Sequence, residues 1–406
     1  MNPPLLPEVG VVCIPPEYWD VAWLQTEHQV ISRLSLFFRV VWMDPSENWR
    51  ETLRDGLPTV PVFSHAKTFE NLTVHRQEFW LPQFFKPRWL SRYTFLERVR
   101  RAQAYLRSQG CKKIVLYLWT PEYGLALEAG RWDLVAYHID DEYSFSEIEV
   151  PTPPEELTVI RESGQVFVHS APLMEKKGKI NPHTSYSPNG VYYAAFATPV
   201  PEPVDIAAIP HPRVGYAGFI KKQLDWILLR ELVFRHPGWS FVFVGKQSPH
   251  PELDGILAEL KARGNVYFLG DKSATELALY PQHFDVCLMP YELNDYTKFI
   301  YPLKLHEYLA SGSPTISTPI PAVTPYNDLV ALPRSIPEWE SAIADSLRPE
   351  MNSQEKRAAR QAVAKQHDWE SLTRRIAGTM AERLGSDIQV AWKSQVGDVQ
   401  EPALLI

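Results

Sequence analysis

The chain has 406 residues, 45% hydrophobic and 22% charged, with 13 Trp and 36 Pro against only 19 Gly. That composition excludes a largely disordered or Gly-rich structural chain, and at roughly 150 residues per domain the length suggests two or three domains. A formal charge of −7 argues against a general nucleic-acid binder, which is ordinarily basic, so no nucleic-acid partner is expected.

Cys13, Cys111 and Cys287 each lie beside a β-like apolar run, with no CxxC or Cys/His spacing. They read as inert thiols in a reducing compartment and not as zinc ligands. The first basic residue is Arg33, so a signal peptide with a charged leading region is not expected. The longest apolar runs, such as 114–119, are too short to span a bilayer. The expected location is cytoplasmic, with peripheral contact at the inner membrane face as an extension.

Short β-branched runs alternate with segments of helical period, first in one half of the chain and again in the other. Such alternation predicts parallel sheets with crossover helices. In the first half, 11–14 reads as a buried strand, 24–37 as a helix and 39–43 as a strand. Residues 46–90 give no clear pattern. Thr94 to Glu97 fits a capping box opening a helix. Strands follow at 114–119, 134–138 and 166–169, and Pro188-Asn189-Gly190-Val191 reads as a tight turn. Five prolines within 198–213 form a stiff connector. The boundary is placed there: 1–205 as an acceptor-side domain, 206–384 as a second domain, and 385–406 as a weakly periodic, partly disordered tail. In the second domain, strands are expected at 214–219, 241–245, 266–270, 286–290 and 314–318. Helices are expected at 224–235, 252–263, 274–280, 303–311, 338–347 and 354–384. The fold class is α/β, two Rossmann-like doubly wound domains facing a central cleft.

The most informative stretch is 294–314. Pro302 suits the start of a helix and Gly312 its C-terminal cap. A helix N-terminus suits phosphate. Lys304 in the first turn adds a cation, and Glu307 three residues later can accept two hydrogen bonds from a vicinal diol such as a ribose. Together they describe a nucleotide-diphosphate group lying along the helix; an ordinary i,i+3 surface pair is the other reading of the same spacing.

Several segments resemble the retaining glycosyltransferases of family 4, which have the GT-B fold. They are Tyr216-Ala217-Gly218-Phe219-Ile220, Phe241–Gly245, Asn265–Gly270, Phe284–Pro290 and Pro302–Pro314, with Pro188–Val191 and His138-Ile139-Asp140-Asp141 in the first half. The resemblance spans about 8–384 and is specific in the second half and loose in the first. It implies a hexosyltransferase that moves sugar from a UDP- or GDP-type nucleotide sugar to a glycan or lipid-linked acceptor with retention, in polysaccharide or glycolipid biosynthesis. It implies Glu307 on the ribose, and Lys304, with Lys221 or Lys222, on the diphosphate. Gly218 and Phe219 would lie beside the phosphates, Lys272 and Ser273 near the base, and Tyr301, Pro302 and Leu303 at the helix end. His138, Asp140 and Asp141 would serve the reacting centre. Two departures stand out: Phe299 replaces an acid that many members carry, and Phe219 occupies the usual Arg place.

Lysines and a helix end can stabilise the leaving group without a metal or other cofactor. Trp19 and Asp20, in the first βα loop, are acceptor-side candidates. A nucleotide-sugar epimerase of the same fold, or a non-catalytic sugar-binding or scaffold protein, are the alternatives. Finally, 84–113 holds nine Lys/Arg against one acid, Glu97, interleaved with aromatics. It reads as either an anionic-membrane contact or a solvated basic helix face.

Overall fold

A computed structural model describes residues 3–21, 25–57, 60–143, 152–248 and 251–397. The chain folds into two compact units. Among the described residues, the first comprises those up to His169, Leu173–Ser187 and those from Glu370 to Gly397; the second comprises Ser170–Pro172 and Pro188–Trp369.

The first unit is built on β1 (Val9–Ile14), β2 (Arg39–Met43), β3 (Phe63–His65), β4 (Leu72–His75), β5 (Lys113–Leu118), β6 (Leu134–Ile139), β7 (Gln165–Val168) and β8 (Thr184–Tyr186). Their order is β3-β4-β2-β1-β5-β6-β7-β8, parallel except for β3. Every residue of β1 is buried, as expected for a strand covered on both faces. The strand order reverses between β1 and β5. Such a switch point is where open α/β sheets leave room for a ligand beyond the strands' carboxyl ends.

The second unit holds β9 (Arg213–Ala217), β10 (Ser240–Val244), β11 (Val266–Phe268), β12 (Val286–Met289), β13 (Thr315–Ser317) and β14 (Val330–Ala331). The sheet is parallel throughout, in the order β11-β10-β9-β12-β13-β14. Its switch point lies between β9 and β12.

Four features depart from the sequence reading. Within 46–90 lie a helix, Trp49–Asp55, and the strands β3 and β4. The Trp49–Asp55 helix is opened by a capping box of Asn48 and Glu51. The Thr94 capping box does not form. The helix runs Arg88–Ser108 from Pro87, and Thr94 Oγ1 donates instead to the Pro82 and Ser91 carbonyls at 2.9 and 3.1 Å. The segment 354–384 breaks into Gln354–Gln366 and Trp369–Arg383, and from Glu370 on it packs with the first unit. The expected tail contains a helix, Ser386–Val396, whose Ile388 and Trp392 are buried. The Trp392 ring meets Phe37 at 5.1 Å.

Because Trp392 fills a closed contact, Trp392→Ala should destabilise the first unit by about 3 kcal/mol, the usual scale for a large aromatic truncated in a core. Lys393→Ala next to it, exposed, should change stability by less than about 0.5 kcal/mol. Urea denaturation of both variants checks this; equal, small effects would show that the helix lies outside the cooperative fold.

Candidate functional site

In the second unit, Gly218 directly follows β9 and Gly245 directly follows β10, with φ of +136° and +131°. These are conformations that L side chains rarely adopt. The Gly218 amide donates to the Val244 carbonyl and the Gly245 amide to the Gly270 carbonyl, each at 2.8 Å. A Cβ on Gly245 would overlap the Gly218 carbonyl, and a Cβ on Gly218 would overlap the Lys304 amino group. The bare backbone of Gly218 is therefore the floor against which Lys304 rests.

The helix Leu303–Ser311 links β12 to β13. It starts after Pro302, has no side-chain N-cap, and closes on Gly312 in the left-handed conformation. The Leu305 N–H turns back to the Pro302 carbonyl at 3.1 Å, so the Leu303 and Lys304 amides are the first-turn donors that face solvent or a ligand. Tyr308 fixes the helix to the end of β9: its hydroxyl accepts from the Ala217 amide at 2.9 Å and donates to the Ala217 carbonyl at 3.3 Å.

Lys304 and Glu307 are both half-buried. The Lys304 ammonium sits over the Tyr216 ring at 5.1 Å. Among the described residues, neither side chain has a hydrogen bond or an ion pair at contact distance. The Lys304 pKa is lowered to about 8, chiefly by burial, with Glu307 opposing the fall and the neighbouring Lys221 adding to it. Burial raises that of Glu307, with Lys304 opposing. Two lysines thus converge beside a carboxylate at the switch point of a parallel sheet. An anion could be taken by the cations and the helix end, and a hydroxyl-bearing group by the carboxylate.

The other second-unit candidates divide. Phe219 is 40% exposed, and its carbonyl accepts from the Tyr216 hydroxyl at 2.8 Å. Lys222 is exposed and Lys221 half-buried. Lys272 is bound to Asp205 at 2.8 Å and lies over the Tyr280 ring. Ser273 caps Ala274–Leu277 with Glu276. Leu303 is half-buried and Pro302 buried. Tyr301 is also buried, with its hydroxyl 2.8 Å from His306 Nε2 and 3.0 Å from the Tyr326 hydroxyl, so its ring is occupied in packing. Phe299 is buried as well.

Several contributors escaped sequence reasoning. Tyr216 and Tyr308 frame Lys304 and Glu307. Asn189 Nδ2 donates to the Tyr301 carbonyl at 2.8 Å. His367 stacks on His306 at 3.8 Å and stands 3.1 Å from the Tyr326 hydroxyl. The tight turn expected at Pro188–Val191 does not form: residues 188–190 run without a turn into a bridge between Val191 and Asp368, and Asn189 holds the helix entry instead.

In the first unit, His138 lies in β6 next to its end, stacked on Trp119 at 4.3 Å, with Nδ1 2.9 Å from the Tyr117 hydroxyl. Its Nε2 is buried without a partner. Burial drives its pKa down to about 3, so the ring is neutral at ordinary pH. Asp140 accepts from the Tyr143 hydroxyl at 2.7 Å, yet burial pushes its pKa up to about 7. Glu27, unnoticed in the sequence, is buried near it and raised to about 8, chiefly by burial and next by Asp140. Asp141 accepts from the Glu142 amide at 2.7 Å, a turn contact. Trp19 packs against Trp42 and His28, and Asp20 pairs with Arg76 at 2.6 Å. Among the described residues no group of three or more His, Cys, Asp or Glu could hold a metal ion, and no helix is long and apolar enough to cross a membrane.

Residues 211–348 match the family described as Glycosyl transferases group 1. Over 111 residues the chain is 32% identical to TuaH of Bacillus subtilis (strain 168), provisionally described as a teichuronic acid biosynthesis glycosyltransferase; the match takes in 27% of this chain and only 28% of TuaH. Three solved structures are similar over nearly the whole chain. One is an E. coli structure described as trehalose-6-phosphate bound with UDP-2-fluoro glucose, at TM-score 0.66 and 12% identity, covering 93% of this chain and 99% of that one. Another is the α,α-trehalose 6-phosphate synthase of Burkholderia multivorans, at 0.63 and 12%, covering 96% and 98%. The third is the catalytic domain of starch synthase IV from Arabidopsis thaliana bound to ADP and acarbose, at 0.60 and 15%, covering 92% and 99%. The architecture is GT-B, two Rossmann-like doubly wound domains. The group 1 match spans every second-unit candidate from Gly218 to Glu307.

The carboxyls of Asp140 and Glu27 carry folded pKa values above their ordinary ones. The folded state therefore holds protons that the unfolded state releases, and stability of the first unit should fall as pH rises from about 4 to about 8. Asp140→Asn keeps an acceptor for Tyr143 and should flatten this slope, adding on the order of 2 kcal/mol at pH 8. Urea midpoints measured across that range test it; an unchanged slope would show that Asp140 ionises freely.

Proposed function

We propose that the protein is a metal-independent, retaining glycosyltransferase that moves a sugar from a UDP- or GDP-type nucleotide sugar to a glycan or lipid-linked acceptor. The observation that carries this reading is Lys304, a half-buried cation with no counter-ion at contact distance, pressed against the bare backbone of Gly218 with Glu307 on the following turn. The group 1 match over the same residues supports it. So does the ligand of one structural neighbour, a UDP-sugar analogue. TuaH's assignment to teichuronic acid synthesis supports a glycan as the product.

In the transfer the bond between the anomeric carbon and the diphosphate oxygen breaks, the nucleoside diphosphate leaves with the electron pair, and the acceptor hydroxyl oxygen bonds to that carbon while its proton passes to the departing diphosphate. Lys304, Lys221, Lys222 and the open end of the helix Leu303–Ser311 would hold that charge, already oriented before it develops. Glu307 would accept hydrogen bonds from the ribose hydroxyls. On the acceptor side, neutral His138 offers its unpartnered Nε2 and Asp140 a carboxyl poised near neutrality, both suited to sugar hydroxyls.

Lys304→Ala and Glu307→Ala should each lower transfer by about 10²–10³-fold while leaving the circular dichroism unchanged. Turnover assays over UDP- and GDP-sugars check this, and wild-type turnover in both variants would contradict the assignment. Incubating donor without acceptor separates transfer from epimerisation, which needs no second substrate. The pH dependence has a definite sign as well. A lysine titrating at about 8 binds a diphosphate best below that value, so nucleoside diphosphate affinity should fall as pH rises through about 8. Lys304→Met should abolish the dependence in calorimetry.

A further inference from the structure

The first unit contains a cavity of about 470 Å³ that the proposed donor site does not use. Its walls come from the segment after β2 at Ser46, the segment after β4 at Gln83 and Phe84, the 3-10 turn after β5 at Glu122, Tyr123 and Leu125, and the opening turns of the helix Arg88–Ser108. All three strand-derived walls stand at carboxyl ends, the edge at which open α/β sheets take ligands.

The lining is amphipathic in a particular way. Phe84, Phe95 and Tyr123 supply rings, with Phe95 and Tyr123 stacked at 6.0 Å and 12°. Arg92 is held by Glu128. Arg88, by contrast, has no hydrogen bond or ion pair among the described residues, and it stands in the first turn of the helix. Glu122 offers a carboxylate likewise without a partner. Outside, Trp80, Phe85, Trp89 and Tyr93 are 79%, 67%, 67% and 54% exposed, which extends the aromatic surface beyond the cavity.

The strong basic field suggested by the sequence is not what the structure presents. Arg101 pairs with Glu78 at 2.5 Å, Arg107 and Lys113 with Asp133 at 3.5 and 3.8 Å, and Arg100 with Glu97 at 3.8 Å, while Arg98 is buried. Acids from outside 84–113 supply most of the compensation. Of the cations left without an ion pair among the described residues, Lys86 and Lys112 are exposed and lie outside the cavity lining, and Arg88 is the free guanidinium set among its rings, which suits a discrete anionic group there.

We infer that this cavity is a subsite for a saccharide bearing an anionic group, a carboxylate or a phosphate. Sugar rings would lie on Phe84, Phe95 and Tyr123, hydroxyls would donate to Glu122, and the anion would pair with Arg88. This names the acceptor class for the transfer proposed above and rests on that reading.

The test is a ligand-observed NMR titration of the full chain with methyl glucuronide, glucose 6-phosphate and neutral methyl glucoside, on wild type, Arg88→Gln and Lys112→Gln. At least one anionic probe should bind about tenfold more tightly than the neutral sugar, the scale of one charged hydrogen bond. Arg88→Gln should erase that advantage, and Lys112→Gln should leave it. The tighter anionic probe tells uronate from phosphate. Equal binding of all three sugars, no binding, or an Arg88→Gln variant that behaves as wild type would overturn the inference. So would Arg88- and Trp89-dependent sedimentation with phosphatidylglycerol vesicles in the absence of sugar discrimination, which would assign the surface to a membrane. UDP and GDP binding measured on the same samples keeps the two claims apart. Intact nucleotide binding without sugar discrimination sinks the subsite alone, and discrimination without nucleotide binding sinks the donor reading.

Discussion

An ammonium group taken partly out of water must either find a counter-charge or become easier to deprotonate. Lys304 does the second. Its nearest structural support is a ring face and a glycine, and its pKa falls to about 8. Gly218 must lack a side chain, Gly245 must lack one to let the Gly218 carbonyl approach, and Tyr308 must hold the helix to the strand end. These constraints converge on keeping one cation in place with room beside it.

Lys177 in the first unit shows the contrast. It is wholly buried, but it meets Glu156 at 2.7 Å and Glu142 at 3.0 Å. A buried cation so paired is satisfied by the fold, and removing either side would leave a charge stranded. Lys304 and Glu307, by contrast, have no hydrogen bond or ion pair at contact distance among the described residues, and their shifted pKa values accompany that lack. Shifted pKa alone does not single out a site, since His75 is also driven down to about 4 while paired with Glu78 at 2.8 Å. The distinguishing feature is the missing partner.

How much of this the sequence disclosed depends on the range of the interaction. The helix Leu303–Ser311 was legible to the residue because Pro302 and Gly312 punctuate it locally. The strands at 39–43 and 134–138 were legible because burial on both faces demands continuous apolar runs. Residues 46–90 were not, since β3 and β4 are short and lie at the sheet edge. The Thr94 capping box was a correct local pattern overruled by an earlier start at Pro87. The basic stretch at 84–113 was misleading because Glu78, Glu128 and Asp133, which compensate it, lie outside the segment. Within the site, Lys304 and Glu307 were readable from spacing. Glu27, Tyr216, Asn189 and His367 were not, because each acts across dozens of residues or more.

The most direct test is to follow the Lys304 ammonium itself, by ¹⁵N or methyl-tagged lysine NMR, through a pH titration with and without a nucleoside diphosphate. The account predicts titration near pH 8 in the free protein and a clear upward shift when the diphosphate binds. A group that titrates near 10.5, the ordinary lysine value, and does not respond to the nucleotide would contradict it.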